Sequence, residues 1–189
     1  MTTFSPSHLR RSGFSLIELL LVLGVLAILL VAAFVIYPQV RDRSQANEMA
    51  GHVSTIQANV RTMFVGKGRY QGLDTTTANR GRSFPPSMNG GNFNAGHADV
   101  RTPWGGIVYV DGVNAVTVTP TGSIPVYRSF YIRLATVPDN ICLPLVSSLA
   151  GRFRSVLVGT TEVMTASGLD PAAAAAACSG NQDVWFYST

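Results

Sequence analysis

The sequence predicts an α+β chain. One long N-terminal α-helix, its hydrophobic half protruding, packs on a globular head built from an antiparallel β-sheet and small helices. Three observations point there. Between Phe14 and Tyr37, 21 of 24 residues are hydrophobic, and the exceptions are Ser15, Glu18 and Gly24. Beyond Pro38, Ala46, Met49, Val53, Ile56, Val60 and Met63 recur at the three-and-four spacing of a one-sided helix. Further on, alternating runs are separated by turn signals.

Residues 1–13 are polar and basic, with Arg10 and Arg11 just ahead of the apolar block. An ordinary secretory signal is cut after its apolar region. Here the natural boundary, Gly13–Phe14, precedes that region, so cleavage would remove a leader and keep the helix. Residues 14–37 are long enough to cross a bilayer, and no second run approaches 18 apolar residues. Pro38 could kink the helix or mark a break. Residues 38–65 continue it with a polar face of Arg41, Asp42, Arg43, Asn47, Glu48, Asn59 and Arg61, and Gly66 and Gly68 end it. A helix over 14–65 would be about 78 Å long. Its first half must lie in lipid or among copies of itself.

Residues 66–189 form the head. Lys67 to Pro103 is rich in Gly, Asn, Thr, Ser and Pro and reads as a long surface loop, flexible or a contact surface. Ile107–Val110 and Val113–Val118 flank Asp111-Gly112, a hairpin signal. Val126–Val137 reads as a third strand. Asp139–Gly151 reads as a helix, which requires Pro144 in its first turn. Ser155–Val158 is a strand candidate. Asp170 caps a helix that begins at Pro171, runs through six alanines and ends at Cys178. Gln182–Tyr187 is the last strand, with Trp185 and Tyr187 on one face.

Glu18 is the most informative residue, because a carboxylate in an apolar run costs several kcal/mol without a partner. It can snorkel to an interface, or be tolerated at a helix start where the dipole favours an acid. Alternatively it pairs with a cation at its own depth, and cleavage before Phe14 would create one, the new α-amine. The two cysteines, Cys142 and Cys178, lie far beyond the span; an even pair there suggests a disulfide in an oxidising compartment, against two buried free thiols.

The formal net charge is +4, of which Arg10 and Arg11 supply two, and no cluster of basic residues supports nucleic-acid binding. Arg80, Arg82 and Arg101 read as solvated loop charges. Nucleophile elbows, phosphate loops and metal-ligand spacings are missing from the sequence, so no catalytic, cofactor or metal residues are expected. His8, His52 and His97 lie apart in the sequence, and His52 reads as a surface or rim histidine. Gly66-Lys67-Gly68 is too short to cradle a phosphate.

Gly13-Phe14-Ser15-Leu16-Ile17-Glu18-Leu19-Leu20, behind a basic leader and before an apolar run with no further charge, resembles the class III signal of type IV pilins and pseudopilins. The resemblance implies that a prepilin peptidase cuts between Gly13 and Phe14, that Phe14 is N-methylated, and that Glu18 pairs with a neighbour's amine during assembly. It implies a subunit held in the inner membrane by one span, N-terminus cytoplasmic, then assembled by pilus machinery into an extracellular homopolymer for adhesion, conjugation or motility. Host or recipient cell surfaces are then candidate partners. A C-terminal disulfide, here Cys142–Cys178, is common in that family. Trp104-Gly105-Gly106 and the wide loop are most like the type IVb subgroup, including conjugative thin pili; the 13-residue leader and Phe14 are more like type IVa. The rival readings are a minor pilin, a type II secretion pseudopilin, or an anchored binding module that keeps residues 1–13.

Overall fold

Helix α1 runs without interruption over Leu16–Phe64, with Pro38 inside it. The structure, a computed structural model, describes residues 15–94, 96, 99–115, 117–119 and 122–189. It divides into one unit ending at Val40 and one spanning Arg41–Thr189, so the amphipathic half of α1 belongs to the second unit.

In the second unit Ala46, Met49, Ala50, Val53, Ile56, Val60 and Phe64 of α1 are buried. Met63, expected in that stripe, is only partly buried and packs at its margin, while Phe64 takes the inward place. Gln57 is buried with them; its Nε2 donates to the Arg152 carbonyl at 3.1 Å and to Ser188 Oγ at 3.0 Å. A buried amide with partners anchors rather than destabilises.

After α1 come α2 (Thr75–Arg80), α3 (Pro86–Asn89), β1 (Val108–Gly112), β2 (Thr117–Thr119), β3 (Gly122–Ile124) and β4 (Phe130–Val137). Then follow α4 (Asp139–Leu149), β5 (Ser155–Val158), β6 (Thr161–Glu162), β7 (Met164–Thr165), β8 (Gly168–Leu169), α5 (Pro171–Ala177) and β9 (Gln182–Ser188). Strands β1-β4-β9-β5-β6 form an antiparallel sheet in that order; β2–β3 and β7–β8 are separate ribbons. The alternation of the strands decides the faces. Val108, Val110, Ile132, Leu134, Val156, Val158, Val184 and Phe186 form one core with the α1 stripe.

Four expectations need correction. Asp111-Gly112 is not a hairpin turn: both residues lie in β1, opposite Tyr131 and Phe130 of β4. The glycine serves a close approach instead. Gly112 N donates to the Leu73 carbonyl at 3.1 Å, and a Cβ there would stand 2.3 Å from the Tyr70 carbonyl oxygen. The hairpin falls later, where β2 returns as β3. The third strand starts at Phe130 rather than Val126, because Tyr127 turns the chain at φ 58° and donates its N–H to the Val113 carbonyl. Pro144 lies inside α4, beyond the first turn. The carbonyl it leaves without a helical donor belongs to Asn140, an exposed residue that water can reach.

The fourth concerns the segment 67–103, which is packed and partly helical. Asp74 caps α2 by accepting from Thr77 N at 2.6 Å. Leu73, Ala78, Phe84, Met88 and Val100 are buried in the main core. A pair of buried amides fastens the segment to itself: Asn89 Nδ2 donates to Asn79 Oδ1 at 2.7 Å, and Asn79 Nδ2 donates to the Asn92 carbonyl at 3.1 Å.

Candidate functional site

The N-terminal part of α1 has no protein core around it. From Ser15 to Arg41 every residue whose side chain is described is exposed. Seventeen large apolar side chains between Leu16 and Val40 are open, with Leu16 and Phe34 each at 76 %. Leu, Ile, Val and Ala favour or tolerate this helix, and local hydrogen bonding satisfies the backbone. Residues 16–37 would span about 33 Å at 1.5 Å per residue, close to the thickness of a hydrocarbon core. An apolar surface this size must be covered by lipid or protein.

Glu18 sits in the first turn of α1, where its N–H donates to the Ser15 carbonyl at 3.0 Å. The carboxylate is exposed, and no cation stands within ion-pair distance of it among the described residues. Gly13 and Phe14, the expected cleavage and methylation positions, lie outside the described residues, as do His8 and His97.

The disulfide is formed. Cys142 in α4 and Cys178 at the C-cap of α5 are bonded, with Cα atoms 5.6 Å apart and both side chains buried. Asp170 Oδ1 accepts from Ala172 N at 2.9 Å and Ala173 N at 3.1 Å, the cap expected from Asp-Pro before an alanine run. In α5 only Ala174 is buried. The bridge is therefore the main tie on that helix.

On the sheet face away from the main core, Tyr109, Arg133, Trp185 and Leu157 stand in register across four strands. The Arg133 guanidinium lies 4.8 Å from the Tyr109 ring centroid and 5.3 Å from that of Trp185. Its Nη2 is 2.7 Å from Asp183 Oδ2, and Asp183 Oδ1 accepts from Thr136 N at 3.0 Å. That carboxylate holds the irregularity between Leu134 and Val137, where Thr136 has φ 51°. Trp185 and Tyr187 share this face, as the alternation predicts, and Tyr187 joins Val113 and Ile124 in a small second core. The Arg133 stack had no sequence signal, because its members lie 24 and 52 residues away in the chain from Arg133.

Burial, with the Asp111 carboxylate beside it, pushes the Tyr131 phenol up to about 12; burial also raises Tyr187. The unfolded chain loses that Tyr131 proton near pH 10, before the folded chain does. The stabilisation is complete below pH 10 and falls as pH rises from 10 to about 12. Thermal melts across that window are expected to show the fall in the unaltered chain, and a shallower one in Tyr131→Phe.

Among the described residues no three His, Cys, Asp or Glu side chains gather to hold a metal. His52 is half-buried, with Nε2 3.5 Å from Ser87 Oγ. Arg82 lies over the Phe93 ring at 5.2 Å, and Arg101 Nη1 donates to the Gly105 carbonyl at 3.1 Å.

The family model "PilS N terminal" matches residues 43–189, and the "Prokaryotic N-terminal methylation motif" matches residues 8–34, a span that includes Gly13, Phe14 and Glu18. No curated protein matches the chain. A solved structure described as a type IV b pilin from Salmonella typhi is similar over 72 % of this chain and 95 % of its own, at 15 % identity and a TM-score of 0.49. With the PilS model covering more than half of its residues and the methylation motif ahead of it, the chain belongs to the PilS family of type IV pilins.

Proposed function

We propose that the chain is a filament-forming pilus subunit whose apolar helix serves twice, as inner-membrane anchor before assembly and as polymer core afterwards. One observation carries this: a membrane-length helix lined with exposed apolar side chains, with a single carboxylate in its first turn. In lipid the apolar surface is at rest, but Glu18 is costly without a partner. In a bundle of copies both demands are met. The helices cover each other, and each Glu18 receives the α-amine that cleavage exposes on the Phe14 of a neighbour.

Processing then follows from the position of the boundary. A prepilin peptidase hydrolyses the Gly13–Phe14 bond from the cytoplasmic side, and the freed Phe14 nitrogen is methylated. The heads face outward with the disulfide region at the surface, where adhesion, conjugation or motility would engage a host or recipient cell. The function is structural, not enzymatic.

Intact-mass measurement of the membrane-extracted protein tests the processing. The expected mass lacks residues 1–13 and carries one added methyl group; Gly13→Val is expected to retain the full mass. A natural protein that keeps residues 1–13 would refute the assigned site and favour the anchored binding module.

A further inference from the structure

Where α1 ends, the head carries a basic cavity that the filament reading leaves unused. It has a volume of about 580 Å³, and Arg61, Arg69 and Arg128 line it together with Val65, Tyr70 and Pro125. That volume lies within the usual range for small-ligand sites. No Asp or Glu side chain lines it; Thr189 does, and its main-chain oxygen is taken up by Arg61. Arg61 is held in place: Nη2 donates to Ser188 Oγ at 3.0 Å and to the Thr189 carbonyl at 2.7 Å. Arg69 and Arg128 are exposed, and neither forms an ion pair among the described residues. Lys67, 5.3 Å over the Phe64 ring, adds positive charge beside the opening.

The apolar part of the wall is equally unusual for this molecule. Val65 is 82 % exposed, the one large aliphatic or aromatic side chain beyond Val40 that stays open among the described residues. Pro125 is exposed beside it, and Tyr70 is half-buried. Tyr70 is fixed from behind by ring contacts with Phe64 at 5.5 Å and Phe130 at 4.7 Å, and its N–H donates to the Tyr127 carbonyl at 2.7 Å.

Two open guanidinium groups, Arg69 and Arg128, beside the already engaged Arg61 favour oxyanions, which they can grip in a bidentate way. The cavity is too roomy for a bare oxyanion, and its apolar wall suits the non-polar face of a ring. It is open to solvent at arginine and valine side chains, so it can take a residue that belongs to a longer polymer. We propose that this cavity binds an anionic saccharide, with its sulfate, phosphate or carboxylate on Arg69 and Arg128 and its ring against Val65, Tyr70 and Pro125.

The test uses the full chain in detergent micelles, so it does not depend on filament formation. A fluorescent heparin-derived tetrasaccharide serves as probe at low ionic strength, with maltotetraose as the neutral counterpart. The unaltered chain is expected to bind the sulfated probe and not maltotetraose. Arg69→Gln with Arg128→Gln is expected to weaken binding roughly tenfold or more. Arg43→Gln with Arg80→Gln removes the same charge from exposed positions outside the cavity and is expected to leave binding unchanged. Coincident thermal melts establish that both double variants are folded. Equal binding by the cavity variant, equal loss in the control variant, or tighter binding of a single-stranded oligonucleotide of matched charge would overturn the proposal.

Discussion

Glu18→Ala is expected to leave removal of residues 1–13 largely intact and to cut filament yield more than a hundredfold. The helix itself should form equally well, since alanine is the best helix former and Glu18 occupies only the first turn. What changes is the balance between lipid and polymer. On the proposed reading, the carboxylate raises the free energy of the lone subunit in the membrane, and pairing in the polymer relieves it. Breaking a buried pair costs about 3–5 kcal/mol, because the other charge stays buried and unpaired. On the proposed reading that charge is the Phe14 amine, so the loss would fall on the assembled state. Glu18→Gln keeps the size but not the charge and is expected to fail in the same way. Sedimentation of sheared filaments, with subunit mass read in parallel, checks both. Normal filament yield from either variant would sink the pairing role of Glu18.

Replacing Cys142 and Cys178 together with alanine is expected to destabilise the head by roughly 4 kcal/mol, as chain entropy predicts for a loop of this length. The separation is 36 residues. Domain stabilities are about 5–15 kcal/mol, so this is a large share. The damage should be uneven. Helix α4 buries Ile141, Leu145, Val146 and Leu149 without the bridge, whereas α5 buries Ala174 alone. A seven-residue helix of one proline and six alanines does not persist by propensity. Amide exchange is therefore expected to accelerate first over 171–178, with a lowered thermal midpoint for the whole head. An unchanged midpoint would mean that packing, and not the bridge, holds the C-terminal region.

Elements with a strong local signal were legible in the sequence. The stripe from Ala46 to Val60 is strictly periodic, so its inward face followed directly. Asp170-Pro171 with the alanines states a helix start in its own chemistry, and the alternation in 182–187 placed Trp185 and Tyr187 together. The two largest failures had no local signal of the observed structure. Asp111-Gly112 has the composition of a turn, but the Tyr70–Leu73 backbone passing beside Gly112 and the pairing with β4 made it strand. Leu73, Phe84, Met88 and Val100 sit at no regular spacing, so the segment 67–103 read as open loop although each of them is buried.

The candidate site divides in the same way. Glu18 and the apolar block are a one-dimensional signal, and the structure adds that nothing in the described chain covers them. The cysteine pair suggested a bridge, and the fold brings its ends to 5.6 Å. The Arg133 stack and the basic cavity are assembled from β1, β4 and β9, and from residues 61–70, 125, 128 and 189. No pattern within one segment announces either of them.

Electron cryo-microscopy of purified filaments tests the central claim most directly. The helices carrying Leu16 to Val40 are expected to pack against one another along the filament axis, with each Glu18 beside the amine of a neighbouring Phe14. Filaments in which that segment is absent, or lies at the surface away from its copies, would contradict it.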